Sequence, residues 1–177
     1  MTRIVAIVQA RMGSTRLPNK VMRPIAGIPM IEVLLKRLAQ SQRIDQICLA
    51  TADDVRNQPL VAHVQQLGYA VYQGSEHDVL DRFYHAAEQM QADVVIRITG
   101  DCPLIDAALV DLVIDRFLQG DVDYVSNAVP PTYPDGLDTE VFSMAALRQA
   151  WQQATSTFDH EHVTPYLRDS GKFRLAV

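Results

Sequence analysis

Ile4-Val5-Ala6-Ile7-Val8 is an unbroken apolar run rich in β-branched residues, and Gln9-Ala10-Arg11-Met12-Gly13-Ser14-Thr15-Arg16-Leu17-Pro18-Asn19-Lys20 follows it directly. β-branched side chains are stiff about χ1 and suit a pleated surface, and a run without polar alternation is covered on both faces. The stretch reads as a strand in the middle of a sheet that opens into a long polar loop. Working outward, Pro29 opens a helix with Ile31, Leu34, Leu35 and Leu38 at helical spacing, and Gln46 to Ala50 is the second strand. Pro59 to Leu67 is helical and stops at Gly68, and Ala70 to Tyr72 is a short strand. Asp78 to Met90 is a helix that Asp78 or Ser75 can cap. Val94 to Ile98 is another buried strand, and Asp106 caps a helix running through Leu118. Tyr124 to Ser126 and Glu140 to Phe142 read as later strands on either side of the proline-rich Pro130 to Gly136. A last helical pair spans Met144 to Ala154 and His160 to Arg168.

Strands that alternate with helices of this length imply βαβ units. The fold class is therefore α/β: a mostly parallel sheet with helices on both faces. At 177 residues the chain reads as one domain, without repeats, low-complexity tracts or a linker. Its 48% hydrophobic and 21% charged content excludes disordered and fibrous classes. Ile4 to Val8 is too short for a signal-peptide core or a membrane span, which places the chain in the cytoplasm, away from membranes. A net charge of −5 argues against nucleic acid as a partner, although a local cationic site remains compatible with it. Cys48 and Cys102 have neither disulfide density nor metal-ligand spacing.

In open sheets of this class, ligands sit beyond the carboxyl ends of the strands. Four polar segments fall there: Gln9 to Lys20, Thr51 to Asp54, Gly74 to His77, and Thr99 to Cys102. The first concentrates Arg11, Arg16 and Lys20 around Gly13, with Ser14 and Thr15 adding hydroxyls. Guanidinium forks suit phosphate bidentately and lysine adds a mobile point charge, so the loop is read as a phosphate grip. It lacks the endings of the Walker and dinucleotide-binding glycine motifs. Scattered surface charge is the alternative for any one of these cations.

Arg97-Ile98-Thr99-Gly100-Asp101-Cys102-Pro103 sets a carboxylate just past a buried strand, on a turn attributed to Gly100 and Pro103. Asp101 is the candidate ligand for a hard divalent cation, with a turn or capping aspartate as the alternative. Asp138 and Glu140, in Pro134 to Glu140, are weaker candidates for the acceptor wall, Asp138 also for a second metal; an Asp-Gly turn explains the same string without chemistry. His160-Glu161-His162 lies in a segment read as helical, where two histidines two apart diverge, which favours capping over ligation. His63, His77 and His85 are read as surface or helix residues.

The loop Ala10-Arg11, Gly13-Ser14-Thr15-Arg16-Leu17-Pro18 and Lys20 resembles the signature of cytidylyltransferases that activate acidic sugars. The resemblance is to the 3-deoxy-manno-octulosonate cytidylyltransferases and, more closely, to the spore coat polysaccharide (SpsF-like) group. Gly27 to Met30, Ala50 to Asp54 and Gly74 to Arg82 extend it, through at least Leu167. The resemblance implies a GT-A-like (Rossmann-like) nucleotidyltransferase fold, CTP as donor, and Mg2+ as cofactor, held by Asp101. It implies transfer of CMP to an acidic sugar or related polysaccharide precursor, with pyrophosphate leaving. Ala10, Arg11, Gly13, Ser14, Arg16, Lys20, Thr51 and Ser75 are the expected nucleotide contacts, and Arg16, Lys20 and Asp101 the expected catalytic set. Backbone near Ala10, Thr51 and Ser75 is expected to read the pyrimidine edge. A GT-A glycosyltransferase and a non-catalytic nucleotide-binding module remain the alternatives, and a homodimer is the candidate assembly. Lys172 to Val177 ends like a strand with one flank unsettled, so a C-terminal truncation is expected, with a terminal edge strand as the alternative.

Overall fold

A computed structural model of the chain describes residues 1–177. The apolar opening run forms β1 (Ile4–Gln9), and a small hairpin follows from β2 (Pro24–Ile25) and β3 (Ile28–Pro29). Ala26 and Gly27, both at positive φ, make its two-residue turn, the geometry that matches strand twist. Then come α1 (Met30–Leu38), β4 (Gln46–Ala52), α2 (Gln58–Gln66), β5 (Ala70–Gly74), α3 (Val79–Gln89), β6 (Val94–Thr99) and α4 (Ala107–Leu118). The chain ends with β7 (Tyr124–Ser126), β8 (Glu140–Ser143), α5 (Met144–Gln153), α6 (Thr157–His162), α7 (Pro165–Asp169) and β9 (Leu175–Ala176). Asp78 caps α3 by accepting from the Asp81 amide, and Asp106 caps α4 through the Leu109 amide, each satisfying an orphan donor.

The seven-stranded sheet runs β5-β4-β1-β6-β8-β7-β9. Alternate residues of β1 feed two separate cores. Ile4, Ala6 and Val8 pack with α1, α2 and α4 on one face, and Val5 and Ile7 pack with α3, α5 and α7 on the other. Leu34, Leu35 and Leu38 of α1 are fully buried, each contributing roughly 1.5–3 kcal/mol relative to exposure. Cys48 is buried in the core on the opposite face, with Val5 and Ile7, and burial pushes its thiol up to about 12. No helix is long and apolar enough to cross a membrane.

The sheet is mostly parallel, as expected, and on one side β8 runs antiparallel to both β6 and β7. The reason is in the connection: Pro130 to Gly136 contains no helix, and a parallel return requires a crossover. The segment expected as one helix, His160 to Arg168, is two. Val163 takes φ 71° and Pro165 cannot donate to a continuing helix, so α6 stops and α7 starts anew. The chain's last strand, β9, pairs parallel with β7.

β1 is flanked by parallel β4 and β6, and connections leave β1 and β6 in opposite lateral directions. This is the switch point at which a crevice opens. At its base the Gly100 amide donates to the Gln9 carbonyl at 2.7 Å. A Cβ at Gly100 would lie 2.6 Å from the Ala10 Cβ and 2.9 Å from the Gln9 carbonyl oxygen. The glycine is therefore required by close approach, whereas the sequence had suggested a turn requirement.

Gly100→Ala is expected to cost about 1–3 kcal/mol through overpacking, read as a lower midpoint in urea unfolding at unchanged slope. A midpoint equal to the wild type's would show that the two strand ends can separate freely.

Candidate active site

The cavity at the switch point encloses about 540 Å³, within the range of small-molecule sites. One wall is the end of β1 and the segment after it, which contribute Gln9, Ala10, Arg11, Gly13, Ser14, Thr15, Arg16 and Lys20. This loop is anchored from below by a residue that carries no site signal in the sequence. Asn57, 3% exposed, accepts from the Met12 amide at 2.8 Å and donates to the Ala52 carbonyl at 3.0 Å. The Ser14 hydroxyl accepts from the Leu17 amide at 3.3 Å, closing the next turn. Gly13 has ordinary φ, and a Cβ there would meet only Arg56 at 4.0 Å, so the tight turn ascribed to it does not depend on glycine.

The opposite wall comes from the end of β6: Thr99, Gly100 and Asp101. Lys20 Nζ stands 3.4 Å from Asp101 Oδ2, so the cationic loop and the acidic turn meet inside one cavity. Burial raises the Asp101 pKa, but the Thr99 hydroxyl and the Lys20 ammonium outweigh it, and the carboxyl lies below its ordinary value. Asp138 goes the other way: burial raises it, and Asp135, Glu140 and Asp101 add repulsion. No group of three His, Cys, Asp or Glu side chains forms a self-sufficient metal cage. Mg2+ needs none, being held by one or two carboxylates with substrate phosphate oxygens and water. An ionised, half-exposed Asp101 opening into the cavity fits that donor set.

The third side is built from Glu76, His77, Val79 and Arg82 around the start of α3, with Thr157, Glu161 and His162 from α6. Glu76 Oε1 sits 3.5 Å from Arg11 Nη1 and 3.1 Å from Arg56 Nη2, tying the first loop to this wall.

A scan of protein-family models matches residues 5–174 to the family described as Cytidylyltransferase. The chain belongs to the cytidylyltransferase family. It is accordingly a nucleotidyltransferase. It is 40% identical over 176 residues to the spore coat polysaccharide biosynthesis protein SpsF of Bacillus subtilis (strain 168), covering 96% of this chain and 71% of that one. A cytidylyltransferase from Leptospira borgpetersenii serovar Hardjo-bovis (strain JB197) superposes with a TM-score of 0.94 at 30% identity, over 99% of this chain and 75% of that one. CMP:2-keto-3-deoxy-manno-octonic acid synthetase, solved with CTP, shares the fold with a TM-score of 0.77 at 20% identity, over 99% and 90% of the two chains.

Within this cytidylyltransferase, not every residue singled out from sequence reaches the cavity. Ala10, Arg11, Gly13, Ser14, Arg16, Lys20 and Asp101 line it, whereas Thr51, Ser75, Asp138 and Glu140 do not. Thr51 is fully buried beside Gln73 in the β4–β5 ladder. Ser75 spends its hydroxyl on the Asp78 amide at 3.0 Å and its carbonyl on Arg82 at 2.7 Å. Glu140 is 5% exposed, ion-paired with Arg97, and accepts the Tyr124 hydroxyl. Arg97 reaches on to Gln9 Oε1 at 3.2 Å, so Glu140 braces four strands and offers no free oxygen to an acceptor. His77, read as a surface residue, lines the cavity. Thr157 and Glu161 do so as well; being four apart on a helix they share a face, a spacing legible once α6 is placed.

His160 holds α6 in place. Its Nδ1 faces Asp78 at 2.9 Å and its Nε2 faces the Ala154 carbonyl at 3.0 Å. Both partners are acceptors, so only the imidazolium satisfies both. The Asp78 carboxylate first, then the Ala154 carbonyl, raises the His160 pKa above its ordinary value of 6.5. A raised folded-state pKa contributes stability that is complete below the unfolded value and lost as pH rises through the folded one. Thermal melting from pH 6 upward is expected to show a fall across that window in the wild type that is missing in His160→Gln. Parallel profiles for the two proteins would remove the imidazolium bridge.

Proposed function

We propose that this cytidylyltransferase transfers CMP from CTP to an acidic sugar or related polysaccharide precursor, releasing pyrophosphate. The observation that carries the reading is the meeting of Arg11, Arg16 and Lys20 with Asp101 in one cavity at the ends of β1 and β6. The polysaccharide role in the name of the SpsF relative supports the acceptor class. The CTP bound to the octonic acid synthetase neighbour supports the donor. Reaction with CTP and a small soluble acceptor suits the cytoplasm.

In this reading the acceptor hydroxyl oxygen forms a bond to the α-phosphorus while the bond from that phosphorus to the β-phosphate oxygen breaks. The hydroxyl proton passes to solvent and pyrophosphate departs. Catalysis then consists of alignment and charge neutralisation, since phosphoryl-type transfers ask little covalent chemistry of the protein. Arg16 and Lys20 hold the β- and γ-phosphates and stabilise the charge that develops on them. Arg11 seats the nucleotide, kept over the cavity by its contact with Glu76. Backbone from Ala10 to Ser14 lies against the nucleotide. Asp101 is the residue that would hold Mg2+, whose chemistry is to neutralise phosphate charge and acidify the attacking hydroxyl. The lowered pKa of Asp101 keeps it ionised for that role.

The deciding experiment screens the four nucleoside triphosphates for Mg2+-dependent pyrophosphate release, with 3-deoxy-manno-octulosonate and other acidic sugars as acceptors. Pyrophosphate release with CTP alone is expected. Release of a nucleoside diphosphate from a nucleotide sugar would replace this reading with glycosyl transfer.

Two variants test the residue roles. Lys20→Ala is expected to weaken CTP binding by about 1.5–3 kcal/mol, the loss of a charge-assisted contact, and calorimetry showing unchanged affinity would sink the assignment. Asp101→Asn keeps size and backbone; its melting temperature is expected to match the wild type's while turnover falls about 10²-fold or more. Near-normal turnover at low Mg2+ would reduce Asp101 to a turn residue.

A further inference from the structure

Arg82 is the largest fully buried side chain in the molecule, 1% exposed, and it also lines the cavity. The fold makes room for it. Gly74, at the end of β5, could not carry a Cβ without placing it 3.2 Å from Arg82 Cγ and 2.8 Å from Tyr72 Cε1. The guanidinium reaches back over the first turn of α3, where Nη1 donates to the Ser75 carbonyl at 2.7 Å. Nε is buried and has no partner at all. No carboxylate pairs with Arg82; the nearby Glu76 is engaged by Arg11 and Arg56.

Three electrostatic costs therefore fall on one group. A guanidinium stays protonated in proteins, so burial cannot be relieved by losing the charge. The N-terminal end of α3 is the positive end of its macrodipole, which repels a cation lying across it. Arg11 adds like-charge repulsion from the loop after β1. One backbone carbonyl does not offset these. A buried unpaired charge is retained in a cavity wall where a ligand supplies the counter-charge.

We infer that Arg82 is a ligand-binding residue whose guanidinium receives an oxyanion of the bound substrates, either a phosphate of CTP or the carboxylate of the acidic acceptor. The inference deepens the proposed function and rests on it for the identity of the two anions. α3 then serves the cavity twice, because the helix that carries Arg82 also holds the α6 wall through Asp78 and His160.

The test uses Arg82→Gln, which removes the charge but keeps donors for the Ser75 carbonyl. The unliganded variant is expected to melt at or above the wild-type temperature, because a cost of the empty site has been removed. A tenfold or greater loss of CTP affinity by calorimetry would place the anion on the nucleotide. Unchanged CTP affinity with a tenfold or greater rise in acceptor KM would place it on the acceptor carboxylate. CTP affinity and acceptor KM both within twofold of wild type would overturn the inference, whatever the melting temperature. Should R82Q fail to fold, R82K carries the test. It keeps the charge and the stem but not the planar fork, so the same tenfold losses are expected and unchanged constants overturn it. Inorganic pyrophosphate and 3-deoxy-manno-octulosonate titrated into wild type and variant separate this inference from the donor assignment. Arg82-dependent binding of either anion by a protein that ignores CTP would support Arg82 and sink the CTP reading. Arg82-independent binding of both by a protein that does bind CTP would sink the Arg82 inference and leave the CTP reading standing.

Discussion

With no side chain at Gly100, the backbone leaving β6 closes onto the end of β1, its amide 2.7 Å from the Gln9 carbonyl. Everything chemical in the molecule is arranged about that approach. It brings the acidic turn of one strand against the cationic loop of its neighbour, so Asp101 and Lys20 face each other at 3.4 Å. The parallel register of β1 with β6 and with β4 makes both strand ends project the same way. The crevice between them is the place where two crossovers diverge, and no core side chain is available to fill it.

Beneath the crevice a second constraint stiffens the sheet. Gln9, Arg97, Glu140 and Tyr124 form a polar chain across β1, β6, β8 and β7. Burial raises the Glu140 carboxyl, but the Arg97 guanidinium and the Tyr124 hydroxyl outweigh it and hold it below its ordinary value. A buried pair of this kind adds little net stability over an apolar replacement, yet removing one partner strands the other, which makes strand register hard to change. Arg82 presents the opposite case. Arg97 is buried with its counter-charge, and Arg82 is buried without one. The first arrangement belongs to a scaffold, and the second to a site.

The walls differ in how they are held. The cationic loop hangs on backbone-directed bonds from Asn57, and the α6 wall hangs on the His160 imidazolium between α3 and the end of α5. A chain with net charge −5 thus presents four cations, Arg11, Arg16, Lys20 and Arg82, to one cavity. Local field, set by which side chains converge, decides what such a cavity attracts, while net charge governs solubility and long-range encounter.

Periodicity and composition alone determined the α/β class, the two-faced burial of β1, the cap at Asp106, and the concentration of Arg11, Arg16 and Lys20 in one loop, while the cap of α3 was narrowed to Asp78 or Ser75. These are local properties: side-chain alternation, capping and charge spacing act over a few residues and are written in order along the chain. Other assignments depended on what lies across the fold. Thr51, Ser75 and Glu140 had the right chemistry at the right strand ends, but their polar atoms are buried or engaged within the protein. Thr157 carries no local signal of a site, and it joins the cavity with Glu161 because α6 packs on α3. Whether a side chain serves a ligand or the scaffold depends on which partners surround its polar atoms. For Thr51 and Glu140 those partners lie on other strands, and for Ser75 they appear only once the start of α3 is folded back on it, so tertiary packing decided the membership of the site.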